Sequence, residues 1–281
     1  MSRSHNPNAS RAGETNLAII SEGKVDPLSL NLFRKGIEGL GLSGEVRAIA
    51  VPSHEFKKTI LNLKSEGLRG VFVLDPYRSE AARLCERFYE AKYSLGVADT
   101  LLFEDAIYGI NTQVPAFYAP IKSLPPANAL ILGGRALGRM AALSLLKAGW
   151  EVKLWNQGAL KSRVVAAALK AVGEVKIVAT PDPAGCSLIV NATGLGKRIG
   201  EEPPVLWKNV MRKAVAYDLI TERASTDFLR SASLRGLQAI SGREMLVEQV
   251  ALALEWLFHK DVERAPLREV ARTSLPRKPH V

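Results

Sequence analysis

The chain has 281 residues, of which 47% are hydrophobic and 23% charged, and carries a net charge of +10. That length holds two domains with full cores, and the balance of residue types excludes a disordered or fibrous chain. No apolar run reaches the roughly 18 residues of a membrane helix, and no His/Cys/carboxylate spacing suits a metal, so neither a membrane nor a metal is expected as a partner.

The first segment, MSRSHNPNASRAGETN (1–16), lacks the apolar core of a secretory signal and reads as a disordered lead-in, with organelle targeting a minor alternative. LAII (17–20), VRAIAV (46–51) and GVFVL (70–74) read as strands, and Pro27–Gly39 and His54–Glu66 as the helices between them. A further helix is expected over Ser79–Ala91, before strands VADTLLF (97–103) and IYGIN (107–111). KSLPPAN (122–128) is turn-rich. It is the expected boundary between a domain over 17–122 and a second over 128–243, the last helices (about 244–272) returning to the first.

The second half restarts with strand ALILG (129–133) and a helix to Lys147, capped by Gly149. EVKLW (151–155), a helix over Ala159–Val172, VKIVA (175–179), CSLIVNA (186–192), AVAYDLI (214–220) and LQAIS (237–241) follow, then a helix Glu244–His259 and a basic tail over 273–281. Strands alternating with helices imply an α/β protein whose second domain is a doubly wound parallel sheet of Rossmann type. Cys85 and Cys186 read as buried reduced thiols, which fits a cytoplasmic setting. The positive charge is spread along the chain and suits an anionic small ligand better than nucleic acid.

ALILGGRALG (129–138) has the outline of a dinucleotide-binding loop. Gly133 and Gly138 stand at the first and third glycine positions of G-x-G-x-x-G, where the chain turns tightly and helix meets strand. Arg135 replaces the second glycine, and Gly134 lies one position early. A side chain at that point either obstructs a diphosphate or contacts it as a cation. The next strand ends in Trp155-Asn156-Gln157 without a carboxylate, followed by Lys161 and Arg163, so any dinucleotide expected here is NADP rather than NAD.

IxGxxMLVxQ, carried by Ile240, Gly242, Met245-Leu246-Val247 and Gln249, together with NATGLG (191–196) and YDLI (217–220), resembles the shikimate dehydrogenase family. ADTLLFEDAIYGINTQ (98–113), GVFVLDPYR (70–78) and PLSL (27–30) extend the resemblance to residues 17–262. It implies an N-terminal substrate domain, a C-terminal NADP domain, hydride transfer on a carbocyclic hydroxy acid, and a monomer or homodimer. By resemblance, Ser29, Thr221 and Gln249 fall at substrate positions, and Gly133, Gly134, Arg135, Gly138, Asn156, Lys161, Thr193, Gly242 and Met245 at cofactor positions.

The family's catalytic lysine is Arg78 here and its aspartate is Gln113. Arginine does not release its proton and glutamine cannot titrate, so the family's acid–base pair is absent. Phe72 and Leu74 replace polar loop residues, Pro27 replaces a serine, and Asn156-Gln157-Gly158 lacks the arginine of the family's phosphate clamp. Asp99 replaces an asparagine, which suggests an Arg78/Asp99 pair in place of the lost one. Two readings follow: a non-catalytic or metabolite-binding descendant with a diverged active site, or an NADP-dependent oxidoreductase acting on a shikimate- or quinate-like or altered substrate.

Overall fold

The computed structural model describes residues 15–89 and 95–274, without the side chains of 159–162. Most of the expected lead-in and of the basic tail, and the end of the expected Ser79–Ala91 helix, lie outside them. The chain divides into two units, one over 1–112 and 250–270 and the other over 113–249 and 271–281.

The first unit carries β1 (Leu17–Ser21), α1 (Pro27–Gly39), β2 (Val46–Ala50), α2 (Phe56–Ser65), β3 (Gly70–Val73), α3 (Arg78–Leu84), β4 (Arg87–Phe88), β5 (Thr100–Phe103) and β6 (Ile107–Ile110). Its sheet runs β2-β1-β3-β5-β6-β4. β1 is parallel to β2 and β3, whereas β5 is antiparallel to both β3 and β6. β1, β3 and β5 are buried on every residue, as their unbroken apolar runs require. Thr15 and Asn16 are tied into this unit rather than belonging to a lead-in: the Thr15 amide donates to Ser43 O, and Asn16 Oδ1 accepts from the Glu45 amide at 3.0 Å.

The expected helix Ser79–Ala91 ends at Leu84. Cys85 turns extended, and the amides of Glu86 and Tyr89 donate to the carbonyls of Ile107 and Gly109. Pairing with β6 thus wins over helical periodicity, and β4 forms instead.

The second unit begins with α4 (Gln113–Tyr118), ahead of the Pro-Pro turn expected to divide the domains. The physical reason is packing: Phe117 stacks on Tyr217 with ring centroids 5.2 Å apart, and Ser144 Oγ donates to Val114 O. Then follow β7 (Asn128–Leu132), α5 (Ala136–Lys147), β8 (Glu151–Trp155), α6 (Ala159–Leu169), β9 (Val175–Ile177), β10 (Leu188–Asn191), β11 (Val215–Asp218), α7 (Asp227–Ser233), β12 (Gln238–Ile240), α8 (Gly242–Phe258) and α9 (Arg264–Thr273). α8 and α9 are divided between the units. Gly149 takes φ +83° just past α5, the left-handed C-terminal cap that its position implied.

The second sheet runs β12-β11-β10-β7-β8-β9 and every pair in it is parallel. The chain winds outward from β7 through β8 and β9, then returns to β10 on the other side. β7 and β10 therefore flank a topological switch point, where loops leaving adjacent strands diverge and open a crevice.

Candidate functional site

The crevice lies beyond the carboxyl ends of β7, β8 and β10. It has a volume of about 660 Å³, and Gly133, Arg135, Asn156, Gln157, Thr193 and Leu195 are among its lining residues. Gly133 follows β7 with φ +108°, and a Cβ there would stand 2.7 Å from Ala192 O, so the turn needs glycine on both counts. A Cβ on Gly138 would stand 1.9 Å from Gly133 O, which makes Gly138 the close-packing glycine between helix and strand. Gly134 donates its amide to Asn156 Oδ1 at 3.0 Å, and Asn156 Nδ2 donates to Gly158 O at 2.9 Å. The Asn156 amide thus holds the glycine loop against the end of β8.

Arg135 is the residue before α5, in extended conformation, exposed, and lining the crevice. It forms no ion pair among the described residues. No carboxylate of the described residues lines the crevice either. The amino end of a 12-residue helix, a guanidinium and a carboxylate-free lining together favour an anion. Arg163 is exposed on α6, while the side chain of Lys161 lies outside the described structure.

One wall of the crevice is the turn after β10. Asn191 Oδ1 accepts from the amide and hydroxyl of Thr193 at 3.1 and 2.6 Å. Asn191 Nδ2 donates to Leu195 O at 3.0 Å and to Asp218 Oδ1 at 2.9 Å. Asp218 is fully buried at the end of β11, where it also accepts from the Ile220 amide and the Thr226 hydroxyl. Burial pushes its carboxyl up to about 6, against the lowering effect of these donors. Residue type and position did not single out Asp218 or Asn191, although both lie inside NATGLG and YDLI.

Gly242 starts α8, and a Cβ on it would stand 2.5 Å from Ile220 O, so it lets the helix abut the end of β11. Met245 and Gln249 are buried on that helix. Thr221 is half-buried, and its carbonyl accepts from Arg243 Nε at 3.2 Å. Arg243, also overlooked in the sequence, donates to Ala271 O and Ser274 O as well. Gln113 is buried at the start of α4.

In the first unit, Ser29 is buried on α1. Phe72 packs into the core against Phe33, ring centroids 4.9 Å apart, and Leu74 is half-buried. The expected Arg78/Asp99 ion pair is not formed. Arg78 Nη1 bonds Asp75 at 2.9 Å and its Nε donates to Val73 O at 3.2 Å, which folds the guanidinium back over its own loop at the cis Asp75–Pro76 bond. Asp99, fully buried, accepts from the amide and hydroxyl of Thr112 and from the hydroxyl of Thr100, all at 3.0 Å. The carboxylate thus pins the turn after β6 to β5. Among the described residues no helix is long and apolar enough to span a membrane, and no cluster of three His, Cys, Asp or Glu side chains could hold a metal.

No family model matches the chain. Its curated relatives include the shikimate dehydrogenase (NADP(+)) of Carboxydothermus hydrogenoformans, 28% identical over 256 residues that span 86% of this chain and 91% of the relative. That of Thermus thermophilus is 28% identical over 264 residues, 92% of this chain and 98% of its own. The crystal structure of shikimate 5-dehydrogenase from Thermus thermophilus in complex with NADP(H) and shikimate matches with a TM-score of 0.84 at 26% identity, over 93% of this chain and 100% of that one. Ligand-free 5-ketofructose reductase of Gluconobacter sp. strain CHM43 matches with a TM-score of 0.85 at 20% identity, over 92% and 98%, a likeness of fold alone. Over most of its length the chain is similar, in sequence and in fold, to shikimate dehydrogenases.

Proposed function

We propose that the chain is an NADP-dependent oxidoreductase of shikimate dehydrogenase type, acting on a shikimate- or quinate-like hydroxy acid or a close variant without the family's lysine–aspartate pair. The observation that carries this reading is the open crevice at the β7/β10 switch point, with Gly133 and Gly138 in place and, among the described residues, no ion-pair partner for Arg135 and no carboxylate in the lining. An abandoned site would be expected to fill with side chains. The curated relatives named above are NADP(+) enzymes, and the end of β8 lacks the acidic residue that would favour NAD.

When bound, the nicotinamide supplies hydride acceptance or return, which leaves the hydroxyl proton to this chain. Arg78 cannot take that proton, and its guanidinium is engaged by Asp75 and Val73 O. Gln113 cannot titrate. Asp99, the carboxylate that replaces an asparagine of the family's pattern, or solvent receives the proton.

A second reading, a binding protein without turnover, is favoured by one observation. Both carboxylate oxygens of Asp99 already accept from Thr112, which suits a structural role. The deciding experiment is a fluorescence titration of NADPH, with NADH for comparison, followed by turnover assays on shikimate and quinate. Saturable NADPH binding with turnover supports the enzyme. NADPH binding without turnover on either acid or their relatives supports the binding protein, and absence of binding at millimolar NADPH refutes the cofactor reading.

A further inference from the structure

Asp218 lines no part of the crevice, yet it is connected to the crevice wall through a single amide. Asn191 stands between them, and its two ends are chemically different: Nδ2 only donates and Oδ1 only accepts. In the structure Nδ2 points to Asp218 Oδ1 and Leu195 O, which leaves Oδ1 for the amide and hydroxyl of Thr193. Reversal of that amide would set an NH2 group against the amide of Thr193 and an oxygen against Leu195 O. Two hydrogen bonds of the wall would be lost at once, and the Thr193 hydroxyl would have to turn from donor to acceptor.

The ionised Asp218 carboxylate selects the same orientation as Leu195 O and the Thr193 amide. An ionised carboxylate can only accept, so it demands Nδ2. A protonated carboxyl can donate as well as accept, so it no longer demands Nδ2, and the amide is then held by Leu195 O and Thr193 alone. We propose that Asp218 is a positioning residue whose ionised carboxylate fixes the Asn191 amide and thereby the shape of the Thr193–Leu195 wall of the crevice. The effect on NADP rests on the function proposed above; the effect on the wall does not.

Neighbouring groups set the balance. The amide of Ile220 and the hydroxyl of Thr226 favour the ionised form, while burial opposes it and Glu222 adds like-charge repulsion. Glu222 is itself bridged to Lys197 at 2.6 Å. Arg223 and Asp227 pair with each other at the start of α7, and Arg243 and Glu244 lie on the first turn of α8. With burial pushing the carboxyl up to about 6, the hold of Asp218 on the Asn191 amide weakens within an accessible pH range.

The test uses the full chain with and without Asp218→Asn. Amide NMR shifts and hydrogen exchange of Thr193 and Leu195 are followed from pH 5 to 7.5 without cofactor, and NADPH dissociation constants are measured over the same range. The wild-type wall amides should titrate near pH 6, whereas in D218N they should not. The 2′-phosphate of NADPH titrates near 6 as well, so the ratio of D218N to wild-type affinity is the quantity read. That ratio should change about fivefold across the transition. Thr226→Val, which removes one donor to the ionised form, should move the wall transition upward; it also serves if D218N fails to fold. Wall amides that do not titrate in the wild type, or that titrate identically in D218N, overturn the proposal. A titrating wall with no NADPH binding keeps the positioning role and sinks the cofactor reading instead.

Discussion

Arg135→Gly restores the second glycine of the loop and gives opposite results for obstruction and contact. The substitution should hardly touch folding. Arg135 is exposed, makes no cap hydrogen bond and has no ion-pair partner among the described residues, so no buried group loses its partner. Glycine is also tolerated at this helix position within a few tenths of a kcal/mol. The whole effect therefore falls on the ligand. A hydrogen bond to a charged group contributes about 1.5–3 kcal/mol, and an exposed ion pair about 0.2–1 kcal/mol. An unpaired arginine at the mouth of an open crevice belongs between these ranges, so its loss should weaken NADPH binding about tenfold, or roughly 1.4 kcal/mol. The assay is fluorescence titration of NADPH and NADH at about 0.05 and 0.3 M salt, since screening over roughly 6–14 Å separates charge contacts from shape. A diphosphate contact weakens both cofactors equally and flattens the salt dependence, whereas a 2′-phosphate contact weakens NADPH alone. Tighter binding by R135G would refute the contact and show that the side chain obstructs the loop.

Three further outcomes follow from the geometry. Because burial raises the folded Asp218 carboxyl to about 6 from its ordinary 3.8, the native state holds its proton more tightly; stability should fall by about 2 kcal/mol as pH rises from 4 to above 6, and urea unfolding of D218N should lack that slope. Gly138→Ala places a Cβ 1.9 Å from Gly133 O, and should cost about 1–3 kcal/mol in urea unfolding and weaken NADPH binding by distorting the turn. Asp99→Asn sets an NH2 group against the donors of Thr112, which should destabilise by about 1–3 kcal/mol; if Asp99 is the base, turnover falls about a hundredfold with substrate binding retained, and unchanged turnover removes it from the chemistry.

Much of the fold was legible because strand burial is written in unbroken apolar runs and helices in their periodicity. α1 spans the expected residues, and the order of β7 to β12 follows from strands alternating with helices. The misses share a cause, which is contact with segments distant in sequence. β4 exists because Cys85–Tyr89 finds the carbonyls of Ile107 and Gly109, some 20 residues away, and nothing within RLCERFY announces that partner. α4 joins the second unit because Phe117 meets Tyr217, a hundred residues on.

The site divides along the same line. Gly133, Gly138 and Gly242 were legible because each fills a place that only a missing side chain can fill. Arg78 and Asp99 were legible as residue types but not as partners: complementary charge suggested a pair, whereas Arg78 found Asp75 three residues earlier and Asp99 found Thr112. A local partner involves less loop closure than a distant one, so sequence charge alone is a weak guide to pairing. Asn191 and Asp218 stand 27 residues apart on parallel strands in direct register, and neither carries an unusual type or spacing. Their significance comes only from the sheet that brings them side by side, one a carboxylate that can only accept and the other an amide that must choose. The chemistry of the crevice thus depends on two kinds of information: glycines and charges visible along the chain, and amide orientations that exist only once the strands are paired.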